Sequence, residues 1–333
     1  MKKVTLKELA QILNMSISTV SRALSDHPDI SDETKRKVKE ASDLYHYTPN
    51  LRARYLRTKS SGLIALILPE YNMFFIPDLM KSISKVVSEN DYSLLIFQSD
   101  DSYEKELDII EYCNQLSVDG ILLSIGNGFD HKDDLIEANK QGAPIVLLDK
   151  VWANETLSSV GIDGAAISKH AVNYLTKQGH KSIGGIFARS SQMITESRLN
   201  GFLGAFENEP SSKASVLIIE DIVDFNKSFD DFLQENPDMT AIFAITDELM
   251  IRCHSRLIGK GYHIPNDISL VCISDGVLPY LLQPNVSHLF HSPTEVGKKA
   301  AEALFSLLKN KDMEVINLNL DCELVELSSV KKI

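Results

Sequence analysis

Ser18, Ser21 and Arg22 fall at i, i+3 and i+4, so on a helix they share one face. Val20, Ala23 and Leu24 would occupy the other face. Two hydroxyls and a guanidinium in a row suit hydrogen bonding to base edges and phosphates. Ile17 and Ser18 would stand at the N-terminal end of that helix, the end that enters the major groove in helix-turn-helix proteins. Arg22 can reach a guanine edge or a phosphate. Ser16, Thr19, Ser31 and Thr34 place further hydroxyls at helix starts, where backbone N–H groups already favour phosphate. The same spacing would also suit a plain three-helix bundle whose serines only cap.

The elements that must hold these residues can be read around them. Thr5 is a good N-cap for a helix carrying Leu6, Leu9, Ala10 and Leu13. Asn14-Met15 interrupts the pattern, and Asn tolerates the left-handed backbone of a tight turn. Ser16 caps a second helix over about 17–24. Ser31 caps a third, with Val38, Ala41, Leu44 and Tyr45 on one side. Two short helices joined by such a turn form a helix-turn-helix. Pro49 then suits the first turn of a short helix over 50–57, capped by Thr48. It bears Arg52, Arg54 and Arg57. Isolated helices below ~12–15 residues are marginal, so this one needs a partner to order it. The alternative is a flexible linker in which Leu56 packs on the body.

The chain has 333 residues and a net charge of −12. Residues 1–60 carry twelve Lys and Arg against seven Asp and Glu, or +5. The remainder carries 22 against 39, or −17. A basic head on an acidic body is expected when only the head meets a polyanion. Cys113, Cys253, Cys272 and Cys322 lack metal-ligand spacing and read as reduced thiols. The polar start after Met1 and the shortness of every apolar run argue against a secretory leader and a membrane span, so a cytoplasmic protein is expected.

From Gly62 onward the pattern becomes α/β. Apolar runs at 63–68, 93–97, 120–124 and 144–149 alternate with helical stretches at 78–89, 103–116 and 132–141. A second series has runs at 182–188, 215–219, 241–245 and 268–274, with helices at 165–178, 195–207, 226–234 and 247–261. Continuous apolar runs between amphipathic helices imply buried parallel strands, here two doubly wound sheets. Ligands bind beyond the carboxyl ends of such strands, and a cleft between two lobes is the default site. His170, His180, His254, His288 and His291 are scattered and read as surface or supporting groups. No metal set, cofactor fingerprint or nucleophile elbow is present, and Gly184-Gly185 belongs to no phosphate loop. A non-enzyme without cofactor is expected.

The head closely resembles that of the LacI/GalR family of transcriptional regulators. The resemblance rests on Val4-Thr5-Leu6-Lys7-Glu8-Leu9-Ala10, Met15-Ser16-Ile17-Ser18-Thr19-Val20-Ser21-Arg22, Ile30-Ser31-Asp32-Glu33-Thr34-Lys35 and Tyr47-Thr48-Pro49-Asn50. Asn14 departs from the usual Gly. The resemblance implies that Ile17, Ser18 and Arg22 read bases. Thr5, Ser16, Thr19, Ser21, Ser31, Thr34 and Asn50 then position the DNA backbone. It further implies that two hinge helices pair in the minor groove, with Ala53 at that contact and Leu56 as an apolar wedge that kinks the operator.

The resemblance continues more weakly through Asn72-Met73-Phe74-Phe75, Val118-Asp119-Gly120-Ile121, Leu147-Leu148-Asp149-Lys150, Gly179-His180-Lys181-Ser182-Ile183, Ser197-Arg198-Leu199-Asn200-Gly201-Phe202 and Pro265-Asn266-Asp267-Ile268-Ser269. It implies a two-lobed effector domain similar to periplasmic sugar-binding proteins. The expected division is a helix-turn-helix domain over 1–48, a hinge and linker over 49–61, and an effector and dimerisation domain over 62–333. One lobe would take about 62–160 plus 291–318, the other about 161–290 plus 319–333. Arg198 matches the family's ligand-binding arginine, and Phe225 the aromatic that stacks on ligand. Phe75, Ser124, Asp149, Thr246 and Ser274 fall at other cleft positions. Thr246 stands where Asn is common, and Ser274 where an Asp commonly accepts ligand hydrogen bonds; Asp275 is one position off. The missing carboxylate puts a standard sugar-binding mode in doubt.

The expected function is therefore sequence-specific repression through a pseudo-palindromic double-stranded DNA operator. Two-fold symmetry demands a homodimer. The six residues after a last strand at about 317–327 leave no room for a heptad tail, so dimers rather than tetramers are expected. The effector implied is a sugar or sugar derivative, with a nucleobase as an alternative. A solute-binding module without a regulatory role is the competing class.

Overall fold

Thr5 opens the first helix by closing a capping box. Its hydroxyl accepts the Glu8 N–H at 3.2 Å, and the Glu8 carboxylate accepts the Thr5 N–H at 2.8 Å. Caps of this kind contribute about 1 kcal/mol. In this computed structural model, which describes residues 4–47, 60–71, 74–126, 132–149, 151, 156–188, 193–207, 211–310 and 313–333, α1 spans Leu6–Ile12. Asn14 turns the chain with φ 51°, the left-handed conformation expected of it. Ser16 caps α2 (Ile17–Leu24) and Ser31 caps α3 (Asp32–Leu44). Leu9, Ala10, Val20, Ala23, Val38 and Ala41 form the small core between them. Leu44 and Tyr45 do not join it, being 72% and 40% exposed. Helical spacing placed them on the buried side, but the chain turns at the end of α3, with the Tyr47 N–H donating to the Ser42 carbonyl, and it is Tyr47 that packs against the core. Asn50, Ala53, Leu56 and the hinge helix lie outside the described residues.

The chain divides into two compact units, Met1–Ser61 and Gly62–Ile333. The second contains two six-stranded sheets. The first sheet uses β1 (Leu63–Leu68), β2 (Ser93–Gln98), β3 (Gly120–Leu123), β4 (Ile145–Asp149), β5 (Ser158–Gly161) and β11 (Asn317–Asn319). Their order is β11-β5-β4-β3-β1-β2, and every neighbouring pair is parallel. The second uses β6 (Ser182–Ala188), β7 (Lys213–Ile219), β8 (Ala241–Ala244), β9 (Ser269–Ser274), β10 (Ser287–Phe290) and β12 (Glu323–Val325). Its order is β12-β10-β9-β8-β6-β7, parallel except that β12 runs against β10.

Side-chain alternation explains why the first sheet must be covered twice. Ile64, Leu66 and Leu68 face α4 (Phe75–Glu89) and α11 (Pro293–Lys309), through Ile83, Ala300 and Leu304. Ala65 and Ile67 face the opposite layer of α5 (Tyr103–Gln115) and α6 (Lys132–Gln141), through Ile110, Cys113 and Leu135. The second sheet is enclosed by α7 (Gly164–Lys177), α8 (Met193–Gly204), α9 (Phe225–Glu235) and α10 (Asp247–Gly259) in one continuous core. The four cysteines are free thiols; Cys113, Cys253 and Cys272 are buried. Among the described residues no helix is long and apolar enough to cross a membrane.

The single last strand expected over about 317–327 is two strands. Asn317–Asn319 completes the first sheet and Glu323–Val325 the second, because the chain crosses between sheets at 320–322.

Candidate functional site

On α2 the structure separates the two faces. Val20 and Ala23 are buried, while Ser16, Ile17, Ser18 and Arg22 are exposed and Thr19 and Ser21 half-buried. Ile17, 48% exposed, is an apolar side chain held out at the helix start. The Ser16 hydroxyl lies 2.8 Å from that of Ser18 and 2.7 Å from that of Thr19, and accepts the Thr19 N–H at 3.0 Å. Ser31 and Thr34 repeat this at the start of α3, with hydroxyls 2.9 Å apart. Each cluster leaves hydroxyls at a helix N-terminus, where an anionic oxygen is favoured. Arg22 stands 3.9 Å from Asp29, with both side chains more than half exposed. Such a pair is weak and yields readily to a phosphate or a base. Thr5, by contrast, has its hydroxyl engaged with Glu8.

The second unit contains a cavity of about 400 Å³. That volume suits a small ligand. Its walls come from the carboxyl ends of strands in both sheets. Pro69 follows β1 and Asp149 ends β4; Ala188 ends β6 and Ile219 ends β7. Thr246 and Asp247 follow β8, Ser274 ends β9 and His291 follows β10. This is the place where open α/β sheets take ligands.

Of the cleft residues expected from sequence, Phe75, Asp149, Arg198, Thr246 and Ser274 line the cavity. Phe225 does not. It begins α9, is 1% exposed, and stacks on Phe229 with ring centroids 5.2 Å apart. Its ring lies 6.0 Å from the Arg252 guanidinium, and Arg252 does reach the wall. Ile222, in the short turn before it, lines the cavity. Ser124 also lies outside the wall. It is 1% exposed just beyond β3, and its hydroxyl has no partner among the described residues.

Arg198 rises from α8 and is 4% exposed. Its Nη1 donates to the Ile245 carbonyl at 2.6 Å, which fixes the fork, while its Nε–H has no acceptor among the described residues. Burial lowers its pKa to about 10, opposed by Asp149. Asp149 itself holds φ 64° at the end of β4. His291 is 5% exposed, and its ring lies 4.8 Å from that of Phe75. Burial and the Arg198 charge lower its pKa to about 3, so the imidazole is neutral, and its Nε2 has no partner among the described residues. His291 is thus a wall residue, contrary to the supporting role expected. His180, His254 and His288 are buried structural groups whose ring nitrogens meet Thr240, Gln283 and Val286.

Asp247 was missed from sequence. Thr246 serves as N-cap of α10, its hydroxyl accepting the Leu249 N–H at 3.3 Å, which places Asp247 in the first turn. Ser274 Oγ donates to Asp247 Oδ1 at 2.6 Å, and the Asp275 N–H donates to Oδ2 at 3.1 Å. Asp247 is 7% exposed; burial raises its pKa to about 7, with repulsion from Asp275 and Glu248. An acidic residue directly after a predicted strand and opening a helix was the available signal. Among the described residues no group of acidic, His and Cys side chains could hold a metal ion.

Two family models match the chain. "Bacterial regulatory proteins, lacI family" matches residues 5–50. "Periplasmic binding proteins and sugar binding domain of LacI family" matches residues 61–318. Catabolite control protein A of Priestia megaterium is 24% identical over 315 residues, 93% of this chain and 94% of that protein. The HTH-type transcriptional repressor PurR of Vibrio atlanticus (strain LGP32) is 25% identical over 332 residues, 98% of each. The lac repressor dimer bound to operator and the anti-inducer ONPF shares the fold, with a TM-score of 0.86 at 20% identity, over 99% of this chain and 100% of that one.

Proposed function

Because this chain belongs to the LacI family of bacterial regulatory proteins, we propose that it represses transcription from a pseudo-palindromic operator and that a sugar or sugar derivative in the cavity sets its DNA affinity. It is a DNA-binding transcription regulator with a small-molecule effector. The observation that carries the reading is the joining, in one chain, of an exposed Ile17–Ser18–Arg22 face and a cavity whose buried Arg198 Nε and His291 Nε2 lack partners among the described residues. Donors and acceptors left open in a buried wall are satisfied by a polar ligand.

Ile17, Ser18 and Arg22 read bases; Ser16, Thr19, Ser21, Ser31 and Thr34 hold the backbone. Asn50, Ala53 and Leu56 complete the DNA contact through the hinge. A single α2 covers only a short half-site, so the working form is a homodimer on two inverted half-sites. Arg198 offers its fork to adjacent hydroxyls, Asp149 and Asp247 accept hydrogen bonds from ligand donors, and Phe75 supplies an apolar face. The ligand acts by binding one state of the regulator better than the other.

The chain is not an enzyme in this reading. Ser274, the hydroxyl nearest a cavity carboxylate, donates to Asp247 and accepts the Gly276 N–H at 2.9 Å, so it is committed on both sides. A regulator of this kind works in the cytoplasm, where the bacterial chromosome is.

The test is a selection of duplexes from a random pool by the full chain. Enrichment of an inverted repeat, lost with Arg22→Ala, is the expected result. Recovery of unrelated sequences overturns the reading.

A further inference from the structure

The charge of the cavity narrows what it binds. Among the described residues, seven Asp and Glu side chains line it against two Arg. Three of the carboxylates, Asp247, Glu248 and Asp275, meet where α10 begins beside the end of β9. Asp247 is the buried one, and it is built to stay in place. Ser274 and the Asp275 N–H each hold one of its oxygens, while the Asp275 and Glu248 carboxylates repel its charge. A phosphate or carboxylate on the ligand would add to that repulsion in a site of low dielectric. A cation would relieve it through charge-assisted hydrogen bonds.

A second observation bears on the other end of the ligand. Among the described residues Arg198 Nε is a donor without an acceptor and His291 Nε2 lacks a partner, both on side chains more than nine-tenths buried. Arg198 calls for a ligand oxygen, and the neutral imidazole for a hydroxyl. Phe75, Ile222 and Ile245 supply apolar wall for a carbon skeleton.

We propose that the effector is a polyhydroxylated amine of the amino-sugar class, with its ammonium on Asp247, flanked by Asp275 and Glu248, and its hydroxyls on Arg198 and His291. This deepens the small-molecule reading above and rests on it. Asp247 thereby becomes the residue that separates an amino sugar from a neutral one.

The full chain is titrated calorimetrically with glucosamine, galactosamine and mannosamine, each beside its parent hexose and its N-acetyl derivative. At least one amine binds about tenfold or more tighter than both neutral counterparts. Asp247→Asn removes that preference, and Asp275→Asn, at the more exposed position, reduces it several-fold. Equal or tighter binding of a parent hexose or N-acetyl form overturns the proposal. So does binding of none of the three amines, or a preference that survives Asp247→Asn. The duplex selection separates this failure from the broader one. A chain that enriches an inverted repeat and answers to a neutral sugar remains a regulator with a different ligand, whereas a chain that enriches nothing is not the regulator described.

Discussion

Ser274 Oγ lies 2.6 Å from Asp247 Oδ1 and donates its proton to it, while accepting the Gly276 N–H at 2.9 Å. The two residues are 27 positions apart, and the bond ties the end of β9 to the first turn of α10. A serine at 274 removes a carboxylate from that strand end, and Asp247 brings one to its side from the neighbouring helix. The cavity keeps an acidic group at this corner, on a different backbone.

Asp247 should therefore make stability depend on pH. Its pKa rises to about 7 in the folded chain from 3.8. Facing it are Ser274 and Cys272 from β9, Asp275 just after that strand, Glu248 from its own helix and Arg198 from α8. Between these two values the folded state holds a proton that the unfolded state has lost, so this group's contribution falls as pH rises toward 7 and is level above it. Asp247→Asn cannot titrate. Relative to the parent chain it gains roughly 1–3 kcal/mol in urea unfolding between pH 5 and pH 8. A difference that does not change with pH refutes the assignment.

Gly201 sets the height of α8, and so of Arg198. A Cβ there would strike the Ala165 backbone, and one on Gly164 would come within 2.7 Å of Ser197 Oγ. Gly201→Ala must push α8 away from α7, costing about 1–3 kcal/mol. Ligand affinity should drop along with stability, because Arg198 stands one turn away on the displaced helix. Retention of full ligand affinity in the folded variant would show that helix contact does not position Arg198.

Arg198→Ala should abolish the response of operator binding to ligand and leave ligand-free operator binding in place. Arg198→Lys should fail as well, since a point charge cannot reproduce the planar fork held by the Ile245 carbonyl. The readout is operator affinity by anisotropy, with and without ligand. A normal response in either variant removes Arg198 from the site.

Residues 4–47 hold six Lys and Arg against seven Asp and Glu, so the excess positive charge of the head comes from Lys2, Lys3, Arg52, Arg54, Arg57 and Lys59. The triple change of Arg52, Arg54 and Arg57 to Ala should weaken DNA binding at low salt. It should also reduce the slope of log K against log salt by roughly 0.9 for each phosphate that is no longer neutralised. An unchanged slope means that other side chains neutralise the phosphates.

The three helices of the head and the turn at Asn14 were legible because caps and spacing are local. Ser16 and Ser31 announce their helices within three residues, and Asn14 is read from its own backbone tolerance. The apolar strands were legible for a similar reason: 63–68 and 182–188 are continuous runs whose ends coincide with β1 and β6. β5 and β10 were not, because their buried residues are partly serines. Ser158, Ser159 and Ser287 are satisfied by Ile316, Asn317 and Leu327 from distant parts of the chain, pairings that no local pattern displays. The cavity was half legible. Arg198 and Asp149 could be placed by resemblance, whereas Asp247 depends on a partner 27 positions on. Phe225, placed by resemblance, is stacked on Phe229 outside the cavity wall, a burial that no local pattern displays.

The most direct measurement is titration of the full chain with three labelled duplexes: the inverted repeat recovered by selection, a single half-site, and a scrambled sequence. Binding to the inverted repeat about 10³-fold or more tighter than to the scrambled duplex, with the half-site far weaker than the whole, is the result expected of a dimer reading bases through α2. Equal affinity for all three, at any salt concentration, would contradict the account.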